Sequence, residues 1–245
     1  MRVAVLADVH GNALALEAVL ADARALGFDH LIDLGDTVPG PLWPSECFDM
    51  LVAAGAQSIR GNHDRVVACD ALAEMPATDA FTHGKLRAAQ RAVLAARPGT
   101  LRLGEILAVH GTPDSDVKYL MHQATAAGVR ERRAEELAER LGDAGDAQLV
   151  LCGHTHRAHA ARLPDGRLVV NPGSVGQPGY VWDQPVLHRM EAGTPHARWA
   201  LLERGARGWS LAHRLVEYDW DRASAEAARN GRDDWAHALA TGYTI

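Results

Sequence analysis

Apolar residues at the start of the chain fall in one short run, Val3 to Ala7, rich in β-branched side chains. It ends in the polar segment Asp8-Val9-His10-Gly11-Asn12, and Ala13 to Leu26 then carries a helical pattern, so the opening predicts strand, loop, helix. The unit repeats. Leu31 to Leu34 predicts a second strand followed by Gly35-Asp36, Phe48 to Ala54 a helix, and Gln57 to Ile59 a third strand running into a loop at Gly61. Thr78 to Ala96 predicts one longer amphipathic helix anchored by Leu86, Val93 and Leu94 and stopped by Pro98-Gly99. Ile106 to Val109 and Leu149 to Cys152 predict two further buried strands, with a charged and mainly helical stretch, Pro113 to Asp146, between them as a possible cap over a site.

From Arg157 onward the pattern changes to hairpins. Ala160 to Leu163 and Leu168 to Val170 flank the turn Pro164-Asp165-Gly166, and Trp199 to Leu202 pairs with Trp209 to Leu215. Gln177 to Arg198, with three prolines, reads as a long ordered loop, and Trp220 to Leu239 as helix. Alternating strands and helices followed by hairpins predict an α/β fold of two packed mixed sheets flanked by helices, better than one doubly wound sheet. The 245 residues, 47% of them hydrophobic, fit a single domain.

Composition narrows the function. A net charge of −6 argues against a protein that tracks nucleic acid through a basic face, so nucleic-acid binding is not expected. No run approaches the ~18 to 20 apolar residues of a membrane span, and the first run is too short for a signal-peptide core. Cys47, Cys69 and Cys152 are odd in number and lack a CxxC arrangement, which suits reduced thiols in a cytoplasm. The thirteen histidines equal Phe, Trp and Tyr combined. Imidazole is the commonest metal ligand and the usual acid or base near neutral pH, so their positions matter.

Nearly every predicted core strand is followed at once by residues that can hold a metal: Asp8-Val9-His10, Gly35-Asp36, Gly61-Asn62-His63-Asp64, His110-Gly111 and Gly153-His154-Thr155-His156. In α/β sheets ligands bind beyond the carboxyl ends of the strands, so these loops should converge. Residues two apart in an extended segment point to one side, which lets Asp8 with His10, and His154 with His156, aim at one place. The glycines at 11, 35, 61, 111 and 153 permit conformations and close approaches that other residues resist. Carboxylate, imidazole and Asn carbonyl donors suit Mn, Fe, Co, Ni or Zn. Any one of these elements alone is an ordinary turn; five in order after five strands are not.

With those five elements in that order, the sequence resembles the calcineurin-like metallophosphoesterases, and Asn171-Pro172-Gly173-Ser174-Val175-Gly176-Gln177-Pro178 is similar to their small bacterial phosphodiesterase branch. The resemblance implies a four-layer αββα sandwich and two divalent transition metals, with manganese favoured, bridged by Asp36. Asp8, His10 and His156 would complete one site, and Asn62, His110 and His154 the other. His63 corresponds to the catalytic histidine. Two metals about 3.5 to 4 Å apart can hold a bridging hydroxide as nucleophile during in-line displacement at phosphorus.

Pro39 and Gly40 stand where the protein-phosphatase branch has Asp and Arg, which argues against a protein phosphatase and against the related dinucleoside tetraphosphate hydrolases. A phosphodiesterase acting on a small or nucleotide-like phosphoester is the leading reading. A phosphomonoesterase or nucleotidase is the alternative, and a non-catalytic binding module on the same fold, as in a retromer subunit, is a third. Asp64 either orients His63 or caps the following helix, with the cap preferred. Asn12 is a candidate phosphate contact, although an N-cap at Ala13 is preferred. Tyr119, His122 and Trp182 are further candidates for contact with substrate. A homo-oligomer is allowed.

Overall fold

The apolar run at the start of the chain forms β1 (Arg2–Leu6), buried along almost its whole length. The computed structural model describes residues 1–245. After β1 come α1 (Ala13–Leu26), β2 (His30–Asp33), α2 (Pro44–Ala53), β3 (Gln57–Ser58), α3 (Asn62–Cys69), α4 (Ala77–Lys85), α5 (Ala88–Ala96), β4 (Thr100–Leu103) and β5 (Ile106–Val109). The second half holds β6 (His122–Thr125), β7 (Gly128–Glu131), α6 (Ala134–Leu141), β8 (Leu149–Leu151), β9 (His159–Arg162), β10 (Leu168–Asn171), β11 (Gly179–Trp182), β12 (His188–Glu191), β13 (Ala197–Gly205), β14 (Gly208–Val216), α7 (Trp220–Arg229) and α8 (Asp233–Thr241).

Two five-stranded mixed sheets result. The first has the order β14-β13-β1-β2-β3, with β1, β2 and β3 parallel and the other pairs antiparallel. The second has the order β4-β5-β8-β10-β9, with β5, β8 and β10 parallel. Strand alternation assigns each side chain to a layer. Val3 and Val5 of β1 meet Ile106 and Ala108 of β5 and Leu149 and Leu151 of β8 in a core between the sheets. Their neighbours Ala4 and Leu6 pack outward on Leu16 and Val19 of α1 with Trp199 of β13. Leu107, Val109 and Val150 face the other way, onto Leu137 and Leu141 of α6. The layers are therefore helix, sheet, sheet, helix, the expected αββα sandwich.

Several boundaries differ from the sequence reading, each for a local reason. Thr78 to Ala96 is two helices, because the chain is extended at Leu86 and Arg87, where the Gln90 side chain accepts from the Arg87 amide and starts a new helix. Trp220 to Leu239 is likewise divided, at Gly231 with its positive φ of 74°. The expected helical cap over 113–146 is instead the β6–β7 hairpin followed by α6, the one helix in that stretch. α6 packs on the second sheet and not over the site; the density of charge there reported exposure, not backbone type. The long loop expected over 177–198 contains the β11–β12 hairpin and the first residues of β13.

Leu151 is fully buried between the sheets. Leu151→Ala is expected to cost about 2–5 kcal/mol, read from urea midpoints of the metal-free protein, whereas Val52→Ala on an exposed helix face changes stability by about 0.5 kcal/mol or less.

Candidate metal centre

The parallel strands of both sheets end at one place. Asp8 and His10 follow β1, Asp36 follows β2, Asn62 and His63 open α3 just beyond β3, His110 follows β5, and His154 and His156 follow β8. Only five non-glycine residues in the chain have positive φ, and they are Asp8, His10, Asp36, His154 and His156, at 51° to 68°. Asp and His tolerate this left-handed region better than most residues, at a cost of about 1–3 kcal/mol each, and such strain collects at functional sites. The sequence reading placed the conformational demand on glycines; most of it lies on the donor residues themselves. The glycines chiefly permit contact: a Cβ on Gly61 would sit 2.2 Å from Asp36 Oδ1 and 2.4 Å from its backbone N.

Two donor clusters form, Asp8 with His10 and His156, and Asp36 with His110 and His154. Asn62 joins the second, its Oδ1 lying 3.0 Å from His110 Nε2. All seven residues expected as ligands from the sequence are thus brought together. Asp36 stands between the clusters, with Oδ2 3.3 Å from His110 Nε2 and 4.0 Å from His10 Nε2. Its other oxygen, Oδ1, accepts from the His63 amide at 2.9 Å at the start of α3. The Asp8 carboxylate accepts from the His154 amide at 3.0 Å.

The geometry calls for cations. His10 Nδ1 donates to Pro39 O and His156 Nδ1 to Gln177 O, both at 2.7 Å, since a carbonyl can only accept. That leaves the two Nε2 lone pairs facing each other across 3.1 Å with no proton required of either ring, an arrangement a metal ion would satisfy. Burial, reinforced by His156, lowers the His10 pKa to about 3, and burial with His110 does the same to His154, so both rings are neutral and free to donate electron pairs. Burial also opposes charge on His110, but the Asp36 carboxylate outweighs it and holds that pKa up at about 10. Asp8 and Asp36 sit below the usual carboxylate range despite their burial, because of His156 and His110 respectively. The donor set, mixed oxygen and nitrogen without thiolate, fits two divalent cations.

His63 lines the cavity in front of these clusters. Its Nδ1 lies 3.0 Å from the fully buried carboxylate of Asp79 in α4. Burial lowers the His63 pKa, yet the Asp79 hydrogen bond and the charges of Asp36 and Asp79 prevail and raise it to about 9. Nothing in the residue pattern marks this partner: Asp79, in the first turn of a helix, looks like an ordinary helix-start acid. Asp64 is the cap, accepting from the amides of Thr37, Val38 and Gly61.

Two expected substrate contacts are corrected. Asn12 is fully buried; its Oδ1 caps α1 at the Ala15 amide and its Nδ2 donates to Gly176 O and the Tyr218 hydroxyl, so no group is left for a phosphate. His122 is buried behind the site, against the Thr155 hydroxyl. Tyr119 and Trp182 do line the cavity, joined by Tyr180 and, from α8 and the turn before it, Trp235 and Arg232. Three of these rings wedge the candidate ligands: Trp235 against His10, Tyr119 against His154 and Tyr180 against His156, with centroids 5.7, 5.0 and 4.7 Å apart. No spacing in the sequence links Trp235 to His10.

Residues 1–190 match the family model described as the calcineurin-like phosphoesterase superfamily domain, and the chain belongs to that family. Its members are divalent-metal-dependent phosphoester hydrolases, which agrees with two candidate metal sites here. A metallophosphoesterase from Sphaerobacter thermophilus is similar over 99% of this chain and 100% of its own, at 27% identity and a TM-score of 0.73. A hypothetical protein from Pyrococcus horikoshii OT3 shares the fold over 100% of this chain and 99% of its own, at 21% identity and a TM-score of 0.74. An uncharacterized protein of Methanocaldococcus jannaschii is 39% identical over 62 residues, which span 25% of this chain and 26% of that relative.

Protein dialysed against manganese is expected to retain two ions per chain by elemental analysis. Asp36→Asn, which removes the charge between the clusters, should retain fewer than one; full retention by that variant would show that the two sites do not share Asp36.

Proposed function

We propose that this chain is a dinuclear-metal phosphodiesterase acting on a small, nucleotide-like phosphodiester. Asp8, His10 and His156 would hold one ion, Asn62, His110 and His154 the other, and Asp36 would serve both; manganese is favoured by the oxygen and nitrogen donors. The observation that carries the diester preference is the charge of the cavity wall. Arg232 is the one arginine or lysine lining it, and Asp234 already grips its guanidinium with both carboxylate oxygens, at 2.9 and 2.7 Å. His63, the other positive group on the wall, is paired with the Asp79 carboxylate, so no unpaired cationic side chain remains for the second negative charge of a monoester and the site suits the single charge of a diester.

When bound, the metals supply Lewis-acid activation of water and neutralise charge on the phosphoryl oxygens. The chain supplies proton control. Asp79 accepts from His63 Nδ1, which fixes the ring and supports its positive charge, so Nε2 carries a proton that can be passed on. The water oxygen bonds to phosphorus, the bond from phosphorus to one ester oxygen breaks, and that oxygen takes the Nε2 proton to leave as an alcohol, while the proton the water gives up passes to solvent, from which His63 is reprotonated. The other product is a phosphomonoester. The tight packing of Trp235, Tyr119 and Tyr180 against the ligand imidazoles keeps the donors aimed before substrate arrives.

The manganese-loaded protein is expected to hydrolyse bis-p-nitrophenyl phosphate with higher kcat/KM than p-nitrophenyl phosphate. The reverse order would favour a phosphomonoesterase, and no turnover with any first-row divalent metal would favour a binding module. His63→Ala should lower kcat by roughly 10²- to 10⁴-fold with both metals retained, and Asp79→Ala by roughly ten- to a hundredfold with KM little changed. Loss of metal from His63→Ala would show that this histidine is a ligand instead.

A further inference from the structure

The cavity in front of the metal centre has a volume of about 360 Å³, within the range of small-molecule sites. Its floor is polar and its mouth is not. Eleven large apolar side chains are exposed on the whole chain, and four of them, Val117, Val181, Trp182 and Ile245, line this one cavity. Exposed apolar surface gathered around a site marks where a ligand contributes apolar surface of its own.

The aromatic residues of the cavity divide by what they touch. Trp235, Tyr119 and Tyr180 are packed against His10, His154 and His156 and are committed to holding those rings. Trp182, at the end of β11, has no aromatic or cationic partner and is half exposed. An indole left in this state at the mouth of a site offers a free flat face for stacking.

What stacks there follows from the rest of the wall. A lipid chain would need a wholly apolar channel, but Thr78, Gln177, Thr244 and the Arg232–Asp234 pair also face the cavity. Those groups match the polar edge of a planar heterocycle. A polyphosphate would need several free cations, and the single arginine is already neutralised. A nucleic-acid polymer would need a basic groove, which a chain of net charge −6 with one paired arginine at the site does not offer.

We propose that Trp182 is the specificity residue of this site, stacking on the nucleobase of a mononucleoside phosphodiester whose phosphate lies at the metal centre. This rests on the phosphoesterase reading of the centre and names the group esterified to the phosphate. Trp182 ends a hairpin strand and lines the cavity within the region matched by the family model, whereas Trp235 and Arg232, which also line it, lie beyond that region.

The test is binding, kept apart from turnover. The manganese-loaded full chain is titrated by calorimetry with hydrolysis-resistant phosphinate analogues of adenosine 5′-methyl phosphate and of ribose 5-methyl phosphate, in which carbon replaces both ester oxygens and the single charge of a diester is kept. The adenosine compound is expected to bind about tenfold more tightly or better, as base stacking on an aromatic side chain supplies. Trp182→Ala should remove that difference by weakening the adenosine compound alone, and Trp182→Phe should restore most of it. Equal binding of the two analogues by the unaltered protein, or a difference that survives Trp182→Ala, would overturn the proposal. A protein that prefers monoesters in the turnover assay yet keeps the Trp182-dependent base preference would lose the diesterase reading and keep this one; diester turnover without base preference would do the opposite.

Discussion

Asp8 and Asp36 bring two carboxylates into the interior within one small volume, and the ion pairs they make are with histidines alone, not with arginine or lysine. Buried charge of one sign is expensive unless it is answered, and removing its partner costs several kcal/mol. Most of the structure around the site reads as the answer. The His63 amide at the start of α3 points at one oxygen of Asp36, the His154 amide points at Asp8, and imidazoles close the rest of the shell. Two divalent cations in the candidate sites would complete the neutralisation and let residues that would destabilise an ordinary core be kept here.

That requirement reaches outward in layers. The imidazoles must present Nε2 inward, so their Nδ1 atoms are tied to main-chain carbonyls: Pro39 for His10, Leu34 for His110 and Gln177 for His156. Leu34 and Pro39 lie in the loop between β2 and α2 that also carries Asp36, and Gln177 lies in the loop between β10 and β11. The rings are then held in place by Trp235, Tyr119 and Tyr180. The C-terminal helices, remote in sequence from every candidate ligand, are through Trp235 part of the apparatus that aims His10. The strained left-handed backbone at five donor residues is stable only because this packing over-determines it.

Charge also separates the roles within the site. Asp36 carries its negative charge towards the candidate ligand imidazoles, whereas Asp79, buried one helix away, directs its own to His63. The first would answer cations in the candidate sites and the second would keep a proton on His63. On the proposed function, the acidic net charge of the chain is compatible with an anionic substrate, because ions held in the two candidate sites would supply the positive charge locally.

The sequence by itself determined the sheet cores and the donor residues. β1, β2, β5 and β8 are apolar on both faces because both faces are covered, and such runs are legible without a partner. A strand that must end at a metal ends on residues that can bind one, so Asp8, His10, Asp36, Asn62, His110, His154 and His156 are visible as chemistry at strand ends. Other features depend on approach in space between segments that no periodicity relates. The helix break at Leu86, the hairpins at β6–β7 and β11–β12, the buried Asp79 behind His63 and the indole of Trp235 against His10 are of this kind. Asn12 is divided between the two: its cap on α1, the reading its place before Ala13 favours, is legible locally, and only the packing of Gly176 and Tyr218 around its amide removes the remaining group from a phosphate.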